Sequence, residues 1–265
     1  MKLRVEHITT FTYDTPISEA YTEMRLAPLD VAGQRRTAFT LLTEPRGEVT
    51  SYLDRFGNAV HYFDVLNSHQ QVEVIVRSDV QTTAEFIDEA TAFSPLDQYD
   101  YLQPTVLASA DNSLHELAER HVVVGNKAAS ARALMTAVHQ AIAYERFVTD
   151  VKTTADEALR LGKGVCQDYA HVMLAVCRLS KLPARYVSGY LYSPNAPEMA
   201  SHAWVDVYLD GYGWRSFDPT HDCPQDERYV RVATGRDYSD VPPTRGIYKG
   251  NAIEKMEIQV QVSQV

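Results

Sequence analysis

Cysteine is scarce in this chain, which argues against a fold stabilised by disulfides. The 265 residues include three cysteines, Cys166, Cys177 and Cys223, an odd number that cannot pair completely. Cys166 and Cys177 lie eleven positions apart in one predicted helix, which would separate them by ~16 Å along its axis. That separation is beyond the reach of a disulfide. We therefore expect reduced thiols.

Clusters of basic residues and long apolar runs are also missing. The formal net charge is −10 and no stretch is rich in lysine and arginine, which argues against nucleic acid or an anionic membrane as a partner. No apolar run approaches the ~18 residues of a membrane-spanning helix. Residues 1–14 carry charges where a signal peptide needs an apolar core. We expect a cytoplasmic protein, and nothing in the sequence indicates its oligomeric state.

The pattern of the first third of the chain is typical of β-strands. Leu3 and Val5 alternate with polar residues, which indicates strands with one buried face. Residues 52–66 are typical of a hairpin with its turn around Gly57. We predict an antiparallel N-terminal β domain over residues 1–82.

The rest of the chain mixes helical and strand patterns. Residues 83–110 contain prolines and no sustained period, so they are predicted to be a linker. A second domain is predicted over 111–250, followed by a C-terminal strand over 251–265. Two helices are predicted to begin near Ser113 and Thr154, and two others to cover residues 131–144 and 167–179. The predicted strands cover residues 184–192, 202–209 and 214–217.

Cys166 is the strongest candidate for a reactive group. It stands at the start of a predicted helix, where the helix dipole and free backbone N–H groups lower the pKa of a thiol and can stabilise an oxyanion. Gly164 would allow a tight turn and the close approach of a substrate. The alternative is a small, buried hydrophobic residue, and Cys177 on the apolar face fits that description.

His202 and Asp218 are candidates for a base and for the carboxylate that orients it. His202 begins a predicted strand and Asp218 follows the next strand of the same hairpin. A carboxylate on one imidazole nitrogen would leave the other free to take a thiol proton. A symmetric turn, however, would place His221 opposite His202. Asp218 would then face away unless a bulge or an offset turn intervenes, so spacing alone does not choose Asp218 over Asp222.

Four motifs follow one another in the second half of the chain. They are Gly164-Val-Cys166-Gln-Asp168-Tyr-Ala-His171, Pro183-Ala-Arg185-Tyr-Val-Ser-Gly189-Tyr, Ser201-His202-Ala-Trp204-Val-Asp206-Val, and Gly213-Trp214 with Phe217-Asp218-Pro219-Thr220. Together they resemble the transglutaminase-like superfamily, and most closely its bacterial branch of presumed cysteine proteases with an N-terminal β domain. Residues 7–13 and 235–243 are similar to the same branch.

The resemblance implies an α+β fold with a papain-like, transglutaminase-like core, in which a central helix carrying the cysteine packs on an antiparallel sheet. It also implies a Cys-His-Asp triad at Cys166, His202 and Asp218, and a bulge between the last two becomes a prediction. We expect a cysteine-dependent amide-bond hydrolase, a protease or peptide amidase, that forms a thioester with a peptide or protein substrate. Transfer of the acyl group to an amine, as in a cross-linking transglutaminase, is one alternative. A catalytically silent protein-binding scaffold is another.

Two features of the family's animal cross-linking enzymes are absent. Those enzymes hold the oxyanion with a tryptophan before the nucleophile, whereas Trp204 and Trp214 both follow it here. We therefore assign the oxyanion site to the Cys166 backbone N–H and a second donor. Tyr144, Gln167 and Trp204 are the candidates for oxyanion or substrate contacts. No acidic ladder of a calcium-binding loop is present, so no cofactor and no metal are expected.

A metal site is a further alternative. Its potential donors are His202, Asp206, His221, Asp222 and Cys223. They lack the paired Cys-x-x-Cys or His-x-x-x-His spacing that metal sites commonly show. The spacing therefore disfavours a metal site.

Overall fold

The structure, a computed structural model, describes residues 1–84, 93–195 and 201–265. Antiparallel strands form the N-terminal third, as the alternating pattern predicts. Their bounds are β1 (Lys2–Ile17), β2 (Glu19–Met24), β3 (Gln34–Glu44), β4 (Thr50–Leu53), β5 (Ala59–Val65) and β6 (His69–Thr82). Side chains along β1 alternate between buried and more exposed positions, because successive residues of a strand face opposite sides of the sheet.

The described remainder of the chain combines helices with further strands. The helices are α1 (Pro95–Leu102), α2 (Asn112–His121), α3 (Lys127–Ala141), α4 (Ala155–Leu161) and α5 (Cys166–Leu179). The strands are β7 (Ala143–Tyr144), β8 (Lys163–Gly164), β9 (Ala184–Leu191), β10 (Ser201–Leu209), β11 (Gly213–Asp218), β12 (Cys223–Pro224), β13 (Tyr229–Gly235), β14 (Thr244–Lys249) and β15 (Glu254–Gln264). A 3-10 turn at Tyr238–Asp240 follows β13. The predicted α+β fold class is confirmed.

The two predicted helix starts have different outcomes. Helix α4 begins as predicted, because the Thr154 N–H donates to the Glu157 carboxylate at 2.9 Å. It ends at Gly162, which adopts the left-handed conformation with φ of 64° that favours glycine after a helix. Helix α2 begins at Asn112, next to the predicted start near Ser113, but Ser113 does not cap it. Asp111 caps α2 instead, through a side-chain oxygen that accepts a backbone N–H of the first turn at 3.0 Å.

Three larger sheets organise the described chain. Two have the strand orders β15-β1-β6-β3 and β14-β2-β5-β4, and the third is a five-stranded sheet with the order β12-β11-β10-β9-β13. Both final strands therefore return to the N-terminal sheets, although the second domain was predicted to extend to residue 250. The predicted linker over 83–110 contains helix α1, and part of it, 85–92, lies outside the described residues.

Helix α5 forms the centre of the second part of the molecule. Every residue from Asp168 to Arg178 is buried, because α2, α3 and α4 pack around the helix together with strands β9 and β10. Cys177 belongs to this core. No helix in the described ranges is both long enough and apolar enough to cross a membrane. The surrounding layers fix the position of Cys166 at the amino end of α5.

Strands from both parts of the chain share a small apolar core. Leu3 and Val5 of β1 pack in one cluster with Tyr190 of β9 and with Val230 and Val232 of β13. Hydrogen bonds reinforce the contact, since the Gln34 amide donates to the backbone oxygen of Arg231 at 2.9 Å. The N-terminal sheets are therefore held directly against β9 and β13 of the five-stranded sheet.

Cys177 provides a test of the packing around α5. Its side chain is fully buried, and burial raises the pKa of its thiol to about 12. We expect Cys177→Ala to lower the free energy of unfolding by about 1–2 kcal/mol through the lost packing, as measured by urea denaturation. The native wild-type protein should show no iodoacetamide label at Cys177, and labelling there without unfolding would contradict this placement.

Candidate active site

Cys166 is the first residue of helix α5. The turn before it is held by Asp168, whose Oδ2 accepts the Val165 N–H and the Thr149 hydroxyl, both at 2.7 Å. A Cβ atom at Gly164 would lie 2.5 Å from that same oxygen. Glycine is therefore needed here for the approach of the Asp168 carboxylate, whereas we had expected the approach of a substrate. Asp168 fixes the helix end and leaves the Cys166 side chain half-buried.

The imidazole of His202 lies between a thiol and a carboxylate. Its Nε2 is 2.7 Å from Oδ2 of Asp218, and the ring is also hydrogen-bonded to the Cys166 side chain. Because Nε2 is taken by Asp218, Nδ1 is the nitrogen left for the thiol. The structure thus brings the three predicted residues into one line of contacts from sulfur to carboxylate.

An offset turn places Asp218 on the same face as His202. Strands β10 and β11 pair Leu209 with Gly213 and Val205 with Phe217, one residue away from the symmetric register considered above. Gly213 has a φ of 71°, a left-handed conformation that suits glycine. The predicted bulge is wrong, because the β10–β11 ladder, which lies wholly within the described residues, has no register shift. Residues paired across two strands lie on the same face of the sheet. A shift of the pairing by one residue therefore moves Asp218 to the face on which His202 lies.

Asp218 is completely buried and accepts several hydrogen bonds. Besides His202, the hydroxyl of Tyr229 and Nδ1 of His221 each lie 2.7 Å from its Oδ2, and Oδ1 accepts the Thr220 N–H at 2.9 Å. Burial opposes ionisation, but the charge of His202 and the hydrogen bonds of both histidines hold the pKa of the Asp218 carboxyl far below its usual range. The carboxylate therefore stays charged.

The environment of His202 favours its protonated form. Burial of the ring alone would lower the pKa of His202, but the charge and hydrogen bond of Asp218, together with Cys166, raise it to about 10. Asp222, the alternative orienting residue, instead accepts the Thr136 hydroxyl at 2.7 Å. Of these two carboxylates, Asp218 is the one that contacts the imidazole.

A cavity of about 180 Å³ opens beside Cys166 and His202. Strand β1 and the residues that follow β2 contribute to its wall, so both parts of the chain enclose it. The residues that line it are His7, Arg25, Leu26, Val165, Cys166, Gln167, Tyr186, Ser188, Gly189, Tyr190, Ser201, His202, Ala203, Val232, Tyr238 and Pro243. His7 is buried, which lowers its pKa to about 4, and its Nδ1 lies 2.9 Å from the Tyr190 hydroxyl. The N-terminal part thus adds a neutral imidazole to the cavity wall.

The remaining predicted site residues have different positions. Gln167 lines the cavity, whereas Trp204 and Tyr144 are not among its described lining residues. Trp204 is fully buried, with its ring 6.0 Å from that of His202 and 5.2 Å from that of Tyr229. Trp204 therefore packs against the imidazole outside the cavity lining, and its role as an oxyanion or substrate contact stays a prediction. Tyr144 is half-exposed and pairs with Gly164.

The strand that carries His202 is buried on both faces. Asp206 has no exposed surface, and its carboxylate accepts bonds from Arg231 at 2.7 Å and Arg185 at 2.9 Å. Asp206 is thus occupied by ion pairs and is not joined to the other predicted metal donors. The opposed positive charges outweigh burial and lower the pKa of Asp206 to about 2.

Some contacts of the site have no local signal in the sequence. Tyr229 belongs to β13 and meets Asp218 across the end of the five-stranded sheet. His7 of β1 and Arg25, which directly follows β2, come from regions far away in the chain. The proximity of His221 to His202 was suggested by the symmetric register, and their ring centroids are 5.1 Å apart.

Comparison with known proteins identifies the family. The sequence model of the transglutaminase-like superfamily matches residues 117–219, and that of the bacterial transglutaminase-like N-terminal region matches residues 3–81. An uncharacterized protein of Mycobacterium leprae is 30% identical over 283 aligned residues, which cover 100% of this chain and 99% of the relative. The chain belongs to the transglutaminase-like superfamily.

Two further proteins are similar to this chain, one in its fold and one in part of its sequence. A presumed cysteine protease from Cytophaga hutchinsonii has a crystal structure that superposes with a TM-score of 0.80, at 22% identity, over 100% of this chain and 91% of that one. This likeness concerns the fold. A protein-glutamine gamma-glutamyltransferase of Pseudomonas aeruginosa is 30% identical over 150 residues, 51% of this chain and 21% of the relative.

Proposed function

We propose that this transglutaminase-like protein is a cysteine-dependent amide-bond hydrolase with Cys166 as nucleophile, His202 as base and Asp218 as orienting carboxylate. The proposal is supported by one observation above all. Hydrogen bonds join a thiol to an imidazole and that imidazole to a buried carboxylate, and the thiol and the imidazole line a cavity. A silent scaffold would not need a charged carboxylate buried against an imidazole, since such burial is costly unless the groups act together.

The reaction follows from this arrangement. Cys166 gives its proton to Nδ1 of His202, and the sulfur attacks the carbonyl carbon of an amide. As the C–N bond breaks, the imidazolium returns the proton to the leaving amine and a thioester remains on Cys166. A water molecule then gives a proton to His202 and attacks the thioester, which releases a carboxylic acid and the free thiol. Asp218 stabilises the imidazolium at each transfer.

The amino end of α5 offers donors for the oxyanion. The first N–H groups of a helix have no acceptor within it, and Cys166 and Gln167 occupy these positions. Val165 is already bonded to Asp168, so it is excluded from this role. We assign the oxyanion site to the N–H of Cys166 together with the N–H or side chain of Gln167, which lines the cavity.

Transfer of the acyl group to an amine is the second candidate reaction. It shares the thioester with hydrolysis and differs in the group that attacks it. The Pseudomonas aeruginosa relative named protein-glutamine gamma-glutamyltransferase favours it. In either reaction we propose a peptide or protein substrate and a cytoplasmic location.

A glutamine-containing peptide library with and without a fluorescent primary amine would separate the two reactions. Hydrolysis yields the glutamate or cleaved peptide whether or not the amine is present, whereas transfer yields an amine adduct, and mass spectrometry distinguishes these products. Cys166→Ala is the matched control. Products that form equally with Cys166→Ala would overturn both reactions.

Asp218→Asn should change the pH dependence of the reaction. The Asp218 charge raises the pKa of His202, so its removal should let the imidazolium lose its proton at lower pH. We expect the alkaline limb of kcat/KM to move to lower pH, and the rate near neutral pH to fall by about 10²-fold. Asp222→Asn is the matched control and should leave the limb in place. A larger shift for Asp222→Asn would show that the orienting residue is wrongly assigned.

A further inference from the structure

His221 completes a cluster of metal-binding atoms at the far side of the site from Cys166. Nε2 of His202 and Nδ1 of His221 both lie 2.7 Å from Oδ2 of Asp218. The three ligand atoms are all within 4.8 Å of one another. Two imidazole nitrogens and one carboxylate oxygen converge here, in a different combination from the donors considered from the sequence.

The loop that carries His221 is held in place by its neighbours. Oδ1 of Asp218 accepts the Thr220 N–H at 2.9 Å, which ties the loop to the carboxylate. Nδ1 of His139 on α3 lies 3.2 Å from the carbonyl oxygens of both Pro219 and Thr220. The donor atoms are therefore positioned before any ion arrives, and a positioned ligand set binds a metal with less loss of conformational entropy.

An ion can reach the cluster from solvent. The His221 side chain is 49% exposed, whereas those of His202 and Asp218 are 6% and 0% exposed. The exposed ring therefore lies at the entrance and the buried carboxylate at the base. Asp218 already carries a negative charge that attracts a cation, and the shared oxygen would bind the ion between the two rings.

We infer that this cluster is a binding site for a zinc ion. Two imidazoles and a carboxylate are common zinc ligands, and zinc bonds to them are about 2.0–2.2 Å long. Each imidazole nitrogen is now 2.7 Å from Oδ2 of Asp218, with a proton between the two atoms. One zinc ion would take the place of both protons, and each nitrogen–oxygen distance would have to increase by under 1 Å. Water would supply the fourth ligand of a tetrahedral site.

Zinc at this site inhibits the enzyme, a consequence that rests on the proposed function. Zinc on Nε2 of His202 leaves the ring proton on Nδ1, the nitrogen that faces Cys166. An imidazole protonated there and bound to metal at the other nitrogen has no lone pair to accept the thiol proton. The ion also takes the Asp218 carboxylate away from its orienting role.

Binding is tested without the nucleophile, so that a zinc–thiolate complex cannot contribute. Cys166→Ala is titrated with zinc chloride in a calorimeter, and we expect one site per chain. Adding His221→Ala should weaken binding at least roughly tenfold, whereas adding His115→Ala, which removes an exposed histidine of α2, should leave it unchanged. Thermal unfolding without metal verifies that each variant is folded. Equal zinc affinity with and without His221 would overturn the site.

Inhibition is tested on the protein with Cys166 intact. Zinc should suppress the wild-type rate reversibly, with recovery on addition of EDTA. The rate of His221→Ala is compared with its own metal-free rate, and its inhibition should need at least roughly tenfold more zinc than inhibition of the wild-type protein. If the same zinc concentration inhibited both proteins, inhibition through this site would be overturned. A chain that binds zinc through His221 yet processes no acyl donor would support the site and contradict the proposed function, so the two failures are distinguishable.

Discussion

Cys166→Ala is expected to abolish amide hydrolysis while the protein remains folded. The side chain is half-buried at the start of α5 and hydrogen-bonded to His202, and no other thiol can replace it. Cys177 is sealed in the core. Cys223 contacts the Tyr229 hydroxyl, with its sulfur 3.5 Å from that oxygen. We expect kcat/KM to fall to the background rate, a loss of roughly 10⁶-fold or more for an enzyme that works through its nucleophile.

Thiol labelling provides the second measurement for this variant. Iodoacetamide should modify Cys166 in the wild-type protein and give no rapid adduct in Cys166→Ala, while urea unfolding should show similar stability for the two. Cys223→Ala is the matched control, because its thiol is also partly accessible but is not bonded to His202. If Cys223→Ala lost the activity and Cys166→Ala kept it, the nucleophile would be misassigned.

Helix α5 and its reactive end could be predicted from local sequence. An apolar pattern with helical period depends on neighbouring residues alone, and the observed helix, Cys166–Leu179, differs from the predicted one by a single residue at its start. The start of α4 after Thr154 follows from local sequence in the same way. The pattern did not reveal how completely α5 is enclosed, because that depends on helices and strands from separate regions.

The register between β10 and β11 could not be predicted from the strand pattern. The strands themselves were placed correctly, but the face on which Asp218 lies depends on whether the turn closes at Gly213 or at Trp214. A left-handed glycine at position 213 decides it, and a change of one residue reverses every side chain of the strand. The resemblance to known motifs chose Asp218 for the triad, but the bulge inferred to accommodate that choice was wrong.

The walls of the site depend on contacts between distant residues. Tyr229 donates to Asp218 from another strand, and His7 lines the cavity from the first strand of the chain. Strands β14 and β15 pair with β2 and β1 at the edges of the N-terminal sheets, although most of the sequence separates them from those strands. Periodicity within one segment carries no information on which distant segment covers it, so these contacts required the three-dimensional structure.

His202→Ala is expected to lower kcat/KM by about 10³–10⁴-fold, in the upper part of the range for a lost general acid–base group. The ring is the group that joins the Cys166 thiol to the Asp218 carboxylate, and its protonated form is also the acid that releases the leaving amine. Without it, the nucleophile must ionise unaided and the amine must leave without a proton. The rate of iodoacetamide labelling at Cys166 below neutral pH should fall as well, because the imidazolium no longer stabilises a thiolate.

Comparison with His115→Ala separates this effect from a general loss of a histidine. His115 is exposed on α2, so its removal should leave both kcat/KM and the labelling rate unchanged. Removal of His202 also leaves Asp218 with fewer partners, although Tyr229 and His221 still bond to it, so the fold should persist and circular dichroism should confirm this. A folded His202→Ala protein that kept its rate within about tenfold of wild type would mean that the thiol reacts without this base, and the proton path from Cys166 to His202 would then be wrong.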